Sequence, residues 1–166
     1  MNQRGQFERL LHSHRGIVYK VAGSYSRTAS DRDDLAQEIC LQLWRAFPDY
    51  DEQRKFSTWM YRVALNVAIS QARRAAALKS GQPESLELFH LETLGAEDNS
   101  ERQAQLEALQ AFIAKLEPLN RALMLLYLDD HSYADISAVL GISETNVATK
   151  INRIKNTLRS MNDGTR

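Results

Sequence analysis

The feature that most constrains the fold of this chain is a segment near its C-terminus, residues 132–161, where two helical patterns meet at a glycine. Ser132 is placed to cap the first helix, with Asp135 three residues on, and Gly141 is placed to end that helix in the left-handed conformation. Ser143 is placed to cap the second helix, whose apolar residues recur at helical spacing: Val147, Ile151, Ile154 and Leu158. The pattern predicts a helix-turn-helix, whose second helix enters the DNA major groove, although an ordinary helical hairpin has the same pattern.

The first eighty residues are predicted to form three helices. The first has an apolar face from Phe7 to Tyr25, and the second runs from about Asp31 to Phe47. A polar loop follows, after which Ser57 is expected to cap a third helix that buries Met60, Val63, Ala64 and Val67. Four further helices are expected after residue 100, with Pro118 ending one and starting the next. The chain is therefore predicted to be all-α.

The charge distribution suggests two domains joined by a linker. The formal net charge is zero, but residues 1–80 carry 13 basic and 8 acidic residues, a balance of +5. Residues 81–130 carry 3 and 10, a balance of −7, and residues 131–166 carry 5 and 3, a balance of +2. We therefore expect helical domains at 1–80 and 101–166, with an acidic linker at 81–100 whose leucines and Phe89 pack transiently. Each basic end can meet phosphate while the acidic middle stays away from it.

A second candidate nucleic-acid interface lies on the third predicted helix. Its spacing places five residues on the side opposite Met60 and Ala64: Trp59, Arg62, Asn66, Ser70 and Arg73. Arg74 and Lys79 extend the positive charge. An aromatic ring stacks on unpaired bases, guanidinium groups contact phosphate, and an amide contacts a base edge, so this set suits single-stranded nucleic acid. The alternative is that Trp59 belongs to the core and the arginines only solvate the helix.

Other classes of function find no support in the sequence. Cys40 is the single cysteine, which excludes an intrachain disulfide and fits a cytoplasmic protein. The four histidines lack metal-ligand spacing, and no glycine-rich phosphate loop is present, so we expect no metal, no cofactor and no enzymatic activity. No apolar run approaches the ~20 residues of a membrane-spanning helix, and membrane insertion is not expected.

Two groups of motifs together resemble the extracytoplasmic-function sigma factors of bacterial RNA polymerase, in the sigma-70 superfamily. The sequence DDLAQEICLQLWR from Asp33 to Arg45, then FSTWMYRVALNVAI from Phe56 to Ile69, is similar to their region 2. Residues 132–158 are similar to their region 4, and the order, the linker and the total length also match. The resemblance implies a transcription initiation factor that binds core polymerase and directs promoter recognition and melting.

The resemblance also implies roles for particular residues. An acidic helix would bind the clamp helices of polymerase through Asp34, Gln37, Glu38, Leu41, Trp44 and Arg45. The −10 element would be contacted by Trp59, Tyr61, Arg62, Asn66, Arg73 and Arg74. The loop 48–57, here called the capture loop, would hold an unpaired −10 base. The −35 element would be contacted by Thr149, Lys150, Asn152, Arg153 and Lys155. The polymerase flap and an anti-sigma factor are the further partners that the family implies.

Two positions depart from the family pattern, and two other functions stay open. Ala148 stands where family members often carry a basic residue, and Ser70 where they often carry aspartate, so the promoter sequence is not predicted. One alternative is a stand-alone helix-turn-helix regulator, which leaves the Trp59 face and the acidic helix without a role. The other is a helical adaptor that binds only protein, for which no salt-dependent DNA association is expected.

Overall fold

A computed structural model describes residues 2–78 and 100–164, and these fall into two compact units. We call residues 2–78 the N-terminal unit and residues 100–164 the C-terminal unit. Lys79 and residues 81–99 of the predicted linker lie outside the described residues, and Ser100, predicted as its last residue, begins a helix. Within them every regular element is helical, which confirms the predicted all-α class.

The N-terminal unit contains four α-helices and one short 3₁₀ turn. They are α1 (Gln3–Ser13), α2 (Arg15–Ser24), α3 (Ala29–Ala46), a 3₁₀ turn (Phe47–Asp49) and α4 (Phe56–Leu78). Helices α2, α3 and α4 pack on one another around Val21, Ile39, Leu43, Met60 and Leu65, which are almost fully buried. Burying apolar side chains of this size is the main force that holds three such helices together.

Two local predictions in this unit are corrected. The first predicted helix is divided at His14, whose φ of −116° and ψ of 14° leave the helical region and whose ring lies 2.9 Å from the Leu10 carbonyl. Helix α4 begins at Phe56, and the Lys55 carbonyl accepts its first hydrogen bond from the Trp59 amide, so Ser57 lies inside the first turn and is not the cap. The two places lie next to each other in the fold, since the His14 and Phe56 rings are in contact with centroids 5.0 Å apart.

The buried face of α4 is also turned relative to the prediction. Met60 and Ala64 are buried as expected, but Val63 and Val67 are only half-buried. Tyr61, Leu65 and Ala68 occupy the core instead.

The C-terminal unit contains four helices: α5 (Ser100–Ala114), α6 (Pro118–Leu128), α7 (Tyr133–Leu140) and α8 (Glu144–Asp163). Pro118 occupies the first turn of α6, where its missing N–H is not needed. Arg121 of α6 donates from its guanidinium to the Ala114 carbonyl at 2.7 Å and the Leu116 carbonyl at 3.2 Å, which satisfies the end of α5. Val147, Ile151 and Ile154 of α8 are buried, as predicted, and Leu158 is half-buried.

Candidate nucleic-acid and protein interfaces

The turn between α7 and α8 is built from local hydrogen bonds. The Ser132 hydroxyl accepts from the Asp135 amide at 3.1 Å, and the Ser143 hydroxyl accepts from the Asn146 amide at 3.1 Å, so both predicted caps are confirmed. Gly141 ends α7 with φ of +71°, the predicted left-handed conformation. In addition, the Ser137 hydroxyl donates to the Ile142 carbonyl across the turn. These bonds set the direction in which α8 leaves α7.

Helix α8 presents a polar face away from its core. Thr149, Asn152 and Arg153 of the predicted −35 set are exposed on it, whereas Lys150 and Lys155 are half-buried on its two edges. The Lys155 ammonium lies 4.4 Å from the centre of the Tyr127 ring, close enough for a cation–π contact. The structure therefore divides the predicted set into three outward side chains and two flanking lysines.

One edge of this face borders a shallow cavity of ≈ 190 Å³ within the C-terminal unit. Lys150 and Arg153 line this cavity. Four other residues line it too, and the sequence did not predict that they lie beside these two: Leu116, Asn120, Ile154 and Thr157. The Asn120 side-chain oxygen is buried and has no hydrogen-bond partner in the described residues.

Sequence reasoning also missed residues on the same outward face. Thr145, Asn146 and Asn156 are exposed there, and the Thr149 hydroxyl donates to the Thr145 carbonyl at 2.9 Å. Because positions 145, 149, 152 and 156 repeat at helical spacing, the periodicity used for the apolar stripe was sufficient to find them.

Helix α4 carries the second polar face. Arg62, Asn66, Ser70 and Arg73 are all exposed, and Arg74 lies beside them, also exposed. The row runs along the side of the helix opposite the buried Met60, Ala64 and Ala68, as the spacing predicted. Three basic residues and an amide thus share one solvent-facing surface about three turns long.

Trp59, at the start of this row, belongs to a cluster of aromatic rings. It is half-buried, and its ring centroid lies 5.0 Å from that of Tyr50, 5.3 Å from Phe56 and 6.1 Å from Phe47. Phe7 of α1 extends the cluster to Phe47 at 5.1 Å and to Trp44 at 5.2 Å. Such tilted and edge-on pairs contribute beyond the area they bury. Trp59 therefore has a packing role and is also partly accessible, and its contact with nucleic acid stays a prediction.

Tyr61 is corrected. The resemblance implied a −10 contact for it, but its side chain is only 2% exposed and lies in the core of the N-terminal unit. A ring with no accessible face cannot stack on a base, so Tyr61 does not belong to the outward surface of α4.

A different surface lies on α3. The six residues expected to bind polymerase share the side opposite the buried Leu35, Ile39 and Leu43, and all but the half-buried Glu38 are exposed. Glu38 accepts a hydrogen bond from the Gln42 amide at 2.9 Å. Leu41 is 42% exposed and Trp44 41% exposed, so a polar face carries two large apolar side chains at its centre. We call this surface the α3 face.

The described residues contain no group of three or more histidine, cysteine or acidic side chains placed to hold a metal ion. Burial raises the pKa of the Cys40 thiol, which keeps it protonated and weakens it as a nucleophile. No helix within 2–78 or 100–164 combines the length and apolar character that crossing a membrane requires.

Taken together, the helix-turn-helix, the polar faces on α8 and α4 and the separate α3 face define a two-unit helical protein with several surfaces for macromolecules. Residues 10–77 match the family model for Sigma-70 region 2, and residues 106–158 match the model for Sigma-70, region 4. The chain therefore belongs to the sigma-70 family, and its relatives place it among the extracytoplasmic-function sigma factors.

The similar proteins are distant in sequence. The ECF RNA polymerase sigma factor SigE of Mycolicibacterium smegmatis is 26% identical over 92% of this chain, and the match spans 60% of that relative. The ECF RNA polymerase sigma-E factor of Escherichia coli is 29% identical over 82% of this chain and 78% of the relative. The sigma factor RpoE of Bartonella quintana, solved with the anti-sigma factor NepR, has a similar fold, with a TM-score of 0.75 at 19% identity over 97% of this chain and 99% of that one.

Proposed function

We propose that this protein binds core RNA polymerase and directs it to promoters, where it recognises two elements and helps open the DNA. In this proposal residues 1–80 bind the polymerase clamp helices and the −10 element, and residues 101–166 bind the −35 element and the flap. Residues 81–100 tether the two. The proposal places the protein in the cytoplasm, where polymerase and chromosome meet.

The α3 face is the observation that carries this proposal. Two exposed apolar side chains, Leu41 and Trp44, lie among charged and amide groups on this face. An apolar centre with a polar rim is the composition expected where another protein binds. Clamp helices that offer apolar and basic side chains would complement Asp34, Gln37 and Glu38 around that centre.

The α4 face supports contact with the −10 element. Unstacking a base costs a few kcal/mol, and stacking it on an aromatic ring returns about 1–3 kcal/mol. Trp59 is only half-buried, and Arg62, Asn66 and Arg73 are exposed. The two guanidinium groups would contact phosphate, and the amide would contact a base edge. The capture loop precedes this face and would hold the unpaired base.

The α8 face supports contact with the −35 element as duplex. Asn152 and Arg153 carry the groups that contact base edges in the major groove, and Thr149 can approach a thymine methyl. Lys150 and Lys155 flank this face, where they would neutralise phosphate and position the helix without reading sequence.

Each unit presents only a small surface to DNA, so we expect the free protein to bind promoters weakly. Holding both units at the spacing of the promoter makes the second contact intramolecular, and polymerase would provide that spacing. We also propose regulation by an anti-sigma protein, since RpoE of Bartonella quintana is solved with one.

The decisive experiment compares two leucine substitutions in the same unit. Leu41→Glu introduces charge at the centre of the α3 face, whereas Leu78→Glu does so at a leucine that is 87% exposed at the end of α4. We expect Leu41→Glu to lose co-purification with core polymerase and promoter-specific transcription, and Leu78→Glu to retain both. If Leu41→Glu binds core polymerase like the wild type, the α3 face is not the docking surface. If the wild type never binds core polymerase but binds a promoter tightly alone, the stand-alone regulator is the correct function.

A further inference from the structure

The capture loop is held by hydrogen bonds of its own before any DNA is bound. The Gln53 amide donates to the Asp51 carboxylate at 3.0 Å, and the Arg54 amide donates to the Asp51 carbonyl at 3.0 Å, which together form a tight turn. Gln6 of α1 donates to the Glu52 carboxylate at 3.0 Å and connects the tip of this turn to the first helix. The side chains of residues 51–55 are all exposed.

Tyr50 joins this turn to the aromatic cluster. Its hydroxyl donates to the Arg54 carbonyl at 2.6 Å, so it closes the loop across four residues. Its ring lies 5.9 Å from Phe47, 5.5 Å from Phe56 and 5.0 Å from Trp59, measured between centroids. One side chain thus connects the end of the 3₁₀ turn, the far side of the loop and the start of α4. Burial, and then the carboxylates of Glu52 and Asp51, raise the pKa of Tyr50, so the hydroxyl remains a donor at neutral pH.

Fixing the loop in advance matters for binding because a flexible loop must be ordered when the ligand arrives. Each backbone residue ordered at that moment weakens binding by roughly tenfold. A loop that already has its bound shape avoids this loss and leaves the exposed side chains of residues 51–55 available to the base.

We propose that Tyr50 is a positioning residue that holds the capture loop in the shape that accepts an unpaired base. The inference rests on the proposed function of the loop, and it assigns to Tyr50 no contact with the base. Its hydroxyl acts through the Arg54 carbonyl, and its ring anchors that hydroxyl to Trp59 and the rest of the cluster.

The test is Tyr50→Phe, which removes the hydroxyl and keeps the ring. Tyr19→Phe is the matched control, because Tyr19 is an exposed tyrosine on α2, in the same unit but outside the loop. The probes are single-stranded oligonucleotides that span the −10 element of a promoter mapped by in vitro transcription, with an abasic site placed at each position in turn. Their affinities are measured with reconstituted holoenzyme.

For the wild type we expect one position at which the abasic site weakens binding, and this position identifies the captured base. Tyr50→Phe should reduce the ratio of intact to abasic affinity at that position by about fivefold, the value of one hydrogen bond. Its affinity for the abasic oligonucleotide and for core polymerase should match the wild type. Tyr19→Phe should leave every value unchanged.

The outcomes separate the inference from the function on which it rests. If the wild type binds intact and abasic oligonucleotides equally at every position, no base is captured and the proposed role of the loop fails. If the wild type discriminates and Tyr50→Phe discriminates equally well, the base is captured without the Tyr50 hydroxyl and the inference is wrong. If Tyr50→Phe weakens intact and abasic binding by the same factor, the hydroxyl supports the fold alone, and the inference is again wrong.

Discussion

Replacing Gly141 by alanine tests whether the turn between α7 and α8 depends on backbone conformation alone. Gly141 has φ of +71°, and a Cβ added there has no heavy atom within 4 Å, so alanine meets strain but no clash. The left-handed conformation costs an L-residue roughly 1–2 kcal/mol. Removing a glycine from the unfolded chain returns about 0.4–1 kcal/mol. We therefore expect Gly141→Ala to lower the free energy of unfolding of the C-terminal unit by about 1 kcal/mol.

Gly16 provides the matched control. It lies in α2, has no left-handed φ, and a Cβ added there also has no heavy atom within 4 Å. Gly16→Ala should therefore stabilise the N-terminal unit, by about 0.4–1 kcal/mol, because only the unfolded-chain term remains. Gly141→Asn should fall between wild type and Gly141→Ala, since asparagine tolerates the left-handed region better than alanine.

Both changes can be followed by thermal unfolding. For units of this size a change of 1 kcal/mol shifts Tm by about 4–8 °C. Trp44 and Trp59, the two tryptophans of the chain, both lie in the N-terminal unit, so their fluorescence reports on Gly16→Ala, while far-UV circular dichroism reports on both units. A Gly141→Ala protein as stable as wild type, or less affected than Gly141→Asn, would refute the conformational argument.

Three further predictions concern the proposed promoter contacts. Asn66→Ala should lose about 1–3 kcal/mol of discrimination at the −10 element in run-off transcription; an unchanged −10 preference would remove Asn66 from the interface. Arg153→Ala should lose about 1–3 kcal/mol of discrimination at the −35 element, and substituted base pairs at that element should locate its contact; a uniform loss across all sequences would make it a phosphate contact instead. Trp59→Phe should impair open-complex formation, detected with permanganate, more than closed-complex binding. Phenylalanine is chosen because alanine would also disrupt the cluster with Tyr50 and Phe56. An equal loss in both assays would assign Trp59 to the core.

Much of the candidate surface was predictable because helical periodicity separates inner from outer residues without reference to a partner. The exposed row from Arg62 to Arg73 on α4 follows from spacing alone, whereas Leu41 and Trp44 on α3 were named by the family resemblance and are also exposed. The DNA and polymerase contacts themselves stay predictions, since no spacing tells which exposed residue meets which ligand.

The errors have a common physical origin in packing between distant parts of the chain. The buried stripe on α4 was predicted to include Val63 and Val67, whereas Leu65 and Ala68 are buried instead. Both sets satisfy the helical period, and only packing against α2 and α3 determines which residues face inward. Tyr61 was assigned to the −10 contacts by the family resemblance, and the same packing buries it. Periodicity defines a face, but it does not determine how far a helix is rotated against its neighbours.

The sequence by itself determined the features that depend on a few consecutive residues: the serine caps at 132 and 143, the left-handed glycine at 141, and the proline that opens α6. Each of these comes from a hydrogen bond or a backbone preference that spans at most four positions. Only the tertiary structure decided the break at His14, the start of α4 at Phe56 and the aromatic cluster that brings Phe7 to Phe47 and Tyr50 to Trp59. The ring contacts at these places join side chains up to 42 residues apart, and they exist only once the helices have packed.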